Sequence, residues 1–200
     1  MGARPPHILQ IYREPLKPGS EAAYHAIEED TARRAAALGC PHPYLGTESL
    51  TGSKEVWWFN GYESTDEQKQ VYDDYAKNTR LMLALQQNSK RKAAFTLEPS
   101  QVFARYRRDL SVGNPWILGD GRFLVITTTK NRGRTVGTIF EAPDGTWFIV
   151  TPAQTRQEAD AVKAAAGKES NIFAVRPSWS FPAKEWIARD PAFWQPNAVS

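Results

Sequence analysis

Residues Glu55–Ser64, EVWWFNGYES, set Trp57, Trp58 and Phe59 side by side, and the way a chain can bury three consecutive large aromatics decides the fold. A strand with one wet face alternates apolar and polar residues. One covered on both faces reads as an unbroken apolar run. The stretch therefore predicts a strand with helices on one side and a second sheet on the other. Burial of each such ring contributes roughly 2–3 kcal/mol, so the pairing surface is substantial.

The neighbouring residues extend this reading. His7–Arg13 predicts a strand ended by Pro15, Pro18 and Gly19. Ser20 is placed to cap a helix running to Leu38, with Tyr24, Ile27, Thr31, Ala35 and Leu38 on one face and Gly39 closing it. Tyr44–Leu50 and Glu55–Tyr62 form a hairpin about Thr51-Gly52-Ser53. Ser64 and Glu67 have capping-box spacing for a second helix to Ala93, broken near Asn78. Gln101–Arg107 supplies the last strand. The order β-α-β-β-α-β is that of a ferredoxin-like unit.

The same pattern returns downstream. TWFIVTPAQTRQEADAV from Thr146 overlays VWWFNGYESTDEQKQVY from Val56 at an offset of 90, matching Trp57 with Trp147 and Thr65 with Thr155. IFAVR at Ile172 echoes VFAR at Val102, offset 70, and RFLVIT at Arg122 echoes HILQIY, offset about 115. The shrinking offset removes about one helix with its loops, and the basic turn Lys130-Asn131-Arg132-Gly133-Arg134 stands in its place. The expected fold class is α+β: two tandem ferredoxin-like repeats, the second lacking its first helix, with antiparallel sheets paired into an eight-stranded barrel-like arrangement. The expected boundaries are 7–108 for the complete repeat, 109–120 for a linker, 121–181 for the degenerate repeat and 182–200 for an aromatic tail docked on the body. In the segment Pro177–Trp194, the aromatics Trp179, Phe181, Trp186, Phe193 and Trp194 argue for order. Its expected landing place is the sheet face left open by the missing helix, with a subunit interface as the alternative.

Composition excludes several classes. The single Cys40 rules out an intrachain disulfide, and no apolar run approaches the roughly 18 residues of a membrane helix. A net charge of +3, spread over Lys90-Arg91-Lys92, Arg105–Arg108 and Arg132–Arg134, predicts a solvated basic surface rather than a nucleic-acid groove. His7, His25 and His42 lack metal-ligand spacing, and no phosphate loop or nucleophile elbow is present. His25, beside Glu28 and Glu29, is expected in solvent; Cys40 and His42, two apart in a Pro-bounded loop, are not expected to form a thiol–imidazole pair. No metal and no cofactor is expected. The compartment stays open between cytoplasmic and exported.

The strand HILQIY, the Lys17-Pro18-Gly19 turn, the acidic helix from Glu21 and the later hairpin with its capped helix resemble the dimeric α/β-barrel superfamily, which includes antibiotic-biosynthesis monooxygenase-like and NIPSNAP-like proteins. The resemblance covers 7–108 well and 121–181 loosely. It implies cofactor-free oxygenases, isomerases, haem proteins and proteins of unknown role, so fold does not decide activity. The haem-degrading branch draws a His from the second helix, and 64–93 contains none.

A cavity remains as the functional expectation. Val56, Trp58, Asn60 and Tyr62 share one strand face, Trp57, Phe59 and Gly61 the other. If the first face lines the barrel, Trp58, Asn60 and Tyr62 join Gln10, Tyr12 and Arg105 around a small apolar or aromatic ligand between the sheets. The function expected is small-molecule binding, with cofactor-independent oxygenation as its chemistry; the alternative is a non-catalytic assembly module with a filled interior. A homo-oligomer is expected in either case.

Overall fold

A computed structural model describes residues 4–131 and 136–195. The first half runs β1 (Ile8–Pro15), α1 (Glu21–Ala37), β2 (Leu45–Ser49), β3 (Glu55–Tyr62), α2 (Thr65–Lys77), α3 (Thr79–Lys92) and β4 (Ser100–Tyr106). The second runs β5 (Phe123–Thr129), β6 (Thr138–Glu141), β7 (Trp147–Ala153), α4 (Arg156–Ala166) and β8 (Ser170–Val175), followed by α5 (Lys184–Arg189) and α6 (Pro191–Trp194). The chain punctuates these elements locally. Gly39 takes a positive φ of 72° after α1; Asn78 ends α2 and caps α3 by accepting from Leu81 N–H at 3.1 Å. At α2, Ser64 accepts from Glu67 N–H at 3.1 Å, but Glu67 reaches back to the N–H of Glu63. The full box is made at α4 by Thr155 and Glu158. Ser20 departs from expectation: its hydroxyl donates to the Phe95 carbonyl at 3.0 Å and makes no cap bond.

The eight strands close into one antiparallel barrel in the order β1-β3-β2-β8-β5-β7-β6-β4. Each half orders its strands alike, β4-β1-β3-β2 and β8-β5-β7-β6, and the edge strands of one pair with those of the other. Among the described residues the ladder closes on itself, so each strand has a neighbour on both sides. Inside lie Leu9, Ile11, Leu45, Trp57, Phe59, Leu124, Ile126, Phe140, Phe148, Val150 and Phe173, all buried in a single apolar cluster. Trp57 meets Phe148 and Phe173 across the interior, with ring centroids 6.1 and 4.7 Å apart.

The ladders correct the register of the sequence overlay. Leu9 faces Gly61 as Leu124 faces Pro152, so the hairpin strand is displaced from Gly61 to Pro152, by 91 residues and not 90. The N-caps agree, since Ser64 and Thr155 are also 91 apart. Likewise Leu9 pairs with Ala104 and Leu124 with Phe173, so the closing strand is displaced by 69 residues, from Ala104 to Phe173, and not 70. Matching Trp57 to Trp147 therefore sets an inward residue on an outward one. A slip of one residue exchanges the two faces of a strand.

The C-terminal segment divides its aromatics between two places, neither of which is the face expected to receive it. Trp179 lies over the outside of the first half, against His25 at 4.8 Å and Tyr24 at 6.3 Å, and Phe181 pairs with Tyr44. Trp186 and Trp194 close one end of the barrel together with Trp116 and Leu118. Arg122–Asp190 and Arg189–Asp120 contacts at 2.9 and 2.8 Å pin this cap. Gly119, at φ 92°, has no room for a side chain, because a Cβ there would sit 2.3 Å from the Trp186 ring. The outside of β6 and β7 is covered instead by Leu110, packed on Ile139, Trp147 and Ile149, and Val112 bridges to Gly137. Of the basic turn, Arg132, Gly133 and Arg134 lie outside the described residues, as do 196–200 of the tail.

Candidate functional site

The barrel interior is closely packed. Trp57 and Phe59 fill it, whereas Trp58, Asn60 and Tyr62 face the helices. The face left open in sequence as the barrel lining is therefore the outer one; on the inward face Gly61 leaves room for Pro6 and Leu118, since a Cβ there would lie 2.8 Å from Pro6. A cavity of about 550 Å³ opens between the outer face of β1, β3 and β4 and helices α1, α2 and α3. Gln10, Tyr12, Trp58, Asn60 and Tyr62 all line it, with Tyr44, Tyr72, Tyr75, Met82 and Leu85 adding apolar wall. Arg105 does not. Its strand pairing with Ile8 puts it on the same outer face but farther along β4, where it lines a separate recess with Arg107 and Glu141.

Polar groups in the cavity are linked rather than scattered. Tyr62 donates to Gln10 Oε1 at 2.9 Å, and Gln10 Nε2 donates to Gln101 Oε1 at 2.8 Å. At the other end of β1, Glu14 Oε2 receives three donors: Tyr24 hydroxyl at 2.5 Å, Trp58 Nε1 at 2.8 Å and Lys92 Nζ at 3.1 Å. Lys92 Nζ also lies 2.7 Å from Glu28 Oε1. The side chains of Glu14, Glu28 and Lys92 are 6%, 1% and 14% exposed. Two carboxylates therefore share one ammonium out of water, an arrangement that favours retention of a proton on one of them. Burial is the largest influence on Glu28 and, with the Glu14 charge, raises its pKa against the opposing pull of Lys92. Burial opposes the Lys92 charge, but the two carboxylates outweigh it and raise its pKa. Burial likewise raises the pKa of the hydroxyls of Tyr12, Tyr24, Tyr44, Tyr62 and Tyr75, which favours their neutral form.

The remaining titratable candidates have structural partners. Cys40 Sγ meets the Tyr75 hydroxyl at 3.1 Å and the His42 carbonyl at 3.4 Å, not the imidazole; burial raises its pKa. His42 stacks on Tyr62 with centroids 4.9 Å apart and bonds the Gly61 carbonyl through Nε2 at 3.0 Å, and burial lowers its pKa. His25 is not simply solvated, since Nε2 contacts Glu48 Oε1 at 2.9 Å. No cluster of His, Cys, Asp and Glu among the described residues could hold a metal ion, and no helix there is long and apolar enough to cross a membrane.

Glu14, Glu28 and Lys92 were not legible as site residues from composition. Lys92 belongs to a basic run that reads as surface, and it differs from its neighbours in pointing inward from α3: Lys90 is exposed and Arg91 reaches Asp30 at 3.3 Å. A signal for Glu28 did exist, because it follows Tyr24 by four residues on the buried stripe of α1.

No family model and no curated protein matches this chain. Solved structures do. A candidate monooxygenase from Fusobacterium nucleatum subsp. nucleatum is 13% identical over 87% of this chain and 94% of its own, with a TM-score of 0.52. A NIPSNAP-like domain protein from Burkholderia xenovorans is 16% identical over 57% of this chain and 98% of its own, with a TM-score of 0.39. An anthrone oxidase-like protein is 14% identical over 85% and 92%, with a TM-score of 0.40. At these identities the likeness concerns the fold alone.

Proposed function

We propose that this chain binds a small apolar or aromatic molecule in the cavity between the outer sheet face of its first half and helices α1–α3. The observation that carries the reading is the 550 Å³ cavity itself, whose aromatic wall is interrupted by a few placed polar groups, Gln10, Asn60 and Gln101. Its size falls within the roughly 300–1,000 Å³ of small-molecule pockets. Cofactor-independent oxygenation is the chemistry suggested by the fold resemblance. Tyr12, Trp58, Tyr62 and Gln10 would hold the ring system, and Arg105, in its separate recess, has no part in it.

The matched ladders and the shared strand order support a tandem origin: two ferredoxin-like units, 7–108 and 121–181, pair within one chain as separate subunits do in dimeric barrels. The packed barrel interior would equally suit an assembly module, and a homo-oligomer is compatible with either role. Thermal-shift screening with quinones, polyphenols and haem, followed by native mass spectrometry, separates the two. Binding predicts stabilisation by aromatic compounds that is lost in Trp58→Ala. A melting curve unmoved by every compound would overturn the binding reading and leave assembly.

A further inference from the structure

The cavity's deep wall holds more than positioning groups. Glu14 accepts three donors on Oε2, whereas Glu28, on the cavity wall, has Lys92 as its contact at 2.7 Å. An ammonium has three N–H donors; Lys92 gives one to Glu14 Oε2 at 3.1 Å and lies 2.7 Å from Glu28 Oε1 as an ion pair, an oxygen that is buried and accepts no hydrogen bond. Lys92 thus keeps donor capacity for a ligand oxygen in the cavity that it also lines. A basic carboxylate beside a cation, enclosed by apolar rings, is the equipment for removing a proton from carbon next to a carbonyl: the base takes the proton and the cation holds the oxygen on which charge develops.

Resting on the binding reading above, we propose that Glu28 is a catalytic base and Lys92 an oxyanion partner for enolisation of an aromatic ketone bound in this cavity. The Glu28 carboxylate accepts the proton from the carbon adjacent to the carbonyl; the C–H electron pair moves into the new C=C bond, and the carbonyl π pair becomes the enolate lone pair facing Lys92. Return of the proton to the same carbon, or to the oxygen, completes the exchange with no oxidant or reductant. The titratable groups facing Glu28 are Tyr24 on its own helix, Tyr12 and Glu14 on β1, Lys92 on α3, and Tyr44. Burial with the Glu14 charge strengthens Glu28 as a base relative to an ordinary carboxylate.

The test uses the full chain and 2-tetralone, a bicyclic ketone whose C1 protons lie between ring and carbonyl. In D₂O, proton NMR follows loss of the C1 signal, while quenching of tryptophan fluorescence follows binding. The wild-type protein is expected to accelerate exchange, with a rate that rises with pH as Glu28 loses its proton. Glu28→Gln is expected to bind tetralone as before and to lose about 100-fold or more of the acceleration. Glu28→Asp should keep part of it with a displaced pH profile, which a merely structural role would not produce. Glu28→Gln is suited to the test because it removes the surplus carboxylate and leaves Lys92 with Glu14. Tetralone bound with exchange at the buffer rate, or exchange unchanged in Glu28→Gln, overturns the proposal and leaves the binding reading standing. Failure of tetralone to quench or stabilise the wild-type protein counts against both.

Discussion

The two halves of the barrel share strand order and ladder register yet cover their outer faces in opposite ways. In the first, α1 and α3 stand off the sheet on large residues, Tyr24, Trp58 and Tyr44, and charged groups bridge the gap. In the second, α4 lies against the sheet through Ala159, packed with Val125, Ala153 and Ile172. Small residues at a helix–sheet contact bring the backbones together, and large ones hold them apart. The difference shows that the cavity depends on what fills the helix–sheet layer, since strand order is common to both halves.

Charge is where the comparison should break most visibly. Lys92→Met leaves Glu14 and Glu28 buried without a cation, and loss of one partner from a buried ionic cluster costs about 3–5 kcal/mol. Chemical denaturation should show a drop of that order, and the double variant Lys92→Met/Glu28→Gln should recover part of it by removing one orphaned carboxylate. A pH series adds a sign. With its folded pKa raised above the ordinary 4.5, Glu28 binds more proton in the folded chain than in the unfolded one. Its contribution is fully present below 4.5 and is lost as pH rises through the raised value. Glu28→Gln should therefore flatten the fall in stability with rising pH; an unchanged slope would show that Glu28 ionises as freely as in water.

Packing gives a smaller contrast. Ala159→Leu forces extra volume into a closed contact and should cost about 1–3 kcal/mol. Ala35→Leu, on α1, directs the same added volume toward the open cavity. Its stability should stay within about 1 kcal/mol of wild type, while aromatic compounds lose affinity. Equal destabilisation by both substitutions would mean that the first half has no usable space under its helices.

Sequence periodicity carried the architecture because burial on both faces leaves a mark in composition: Trp57-Trp58-Phe59 and Trp147-Phe148-Ile149-Val150 could only be strands between two layers. It located β3 to the residue and the break at Asn78. Strand β6 was not assigned, since four residues, Thr138–Glu141, give too short an alternation to stand out. Facing was the harder matter. Both faces of β3 are apolar enough to be inside, so polarity grouped Asn60 and Tyr62 on one face without deciding which side of the sheet that face meets. Five of the six expected cavity residues share one wall because strand alternation keeps a face together whichever way it points. Arg105 fell away because its position along β4, rather than its face, separates it from the others.

The smallest effects lie at the two helix starts that the halves have in common. At α4 the box is complete, with Thr155 accepting from Glu158 N–H at 3.2 Å and Glu158 Oε2 accepting from the N–H groups of Thr155 at 3.3 Å and Gln154 at 2.7 Å. At α2 Ser64 accepts from Glu67, whose carboxylate passes over the cap to Glu63 N–H at 2.5 Å. Thr155→Ala and Ser64→Ala each remove one cap bond and should each cost about 1 kcal/mol. The consequences should differ in place. α4 packs through a small contact on the sheet, so hydrogen exchange at its first turn should rise while the cavity side is unaffected. α2 supplies Tyr72 and Tyr75 to the cavity, so loss of its cap should weaken the binding of aromatic compounds by a small factor at unchanged fold. If Ser64→Ala leaves binding untouched while its first turn exchanges faster, α2 is a passive wall, and the ordering of the site rests on α1 and α3 alone.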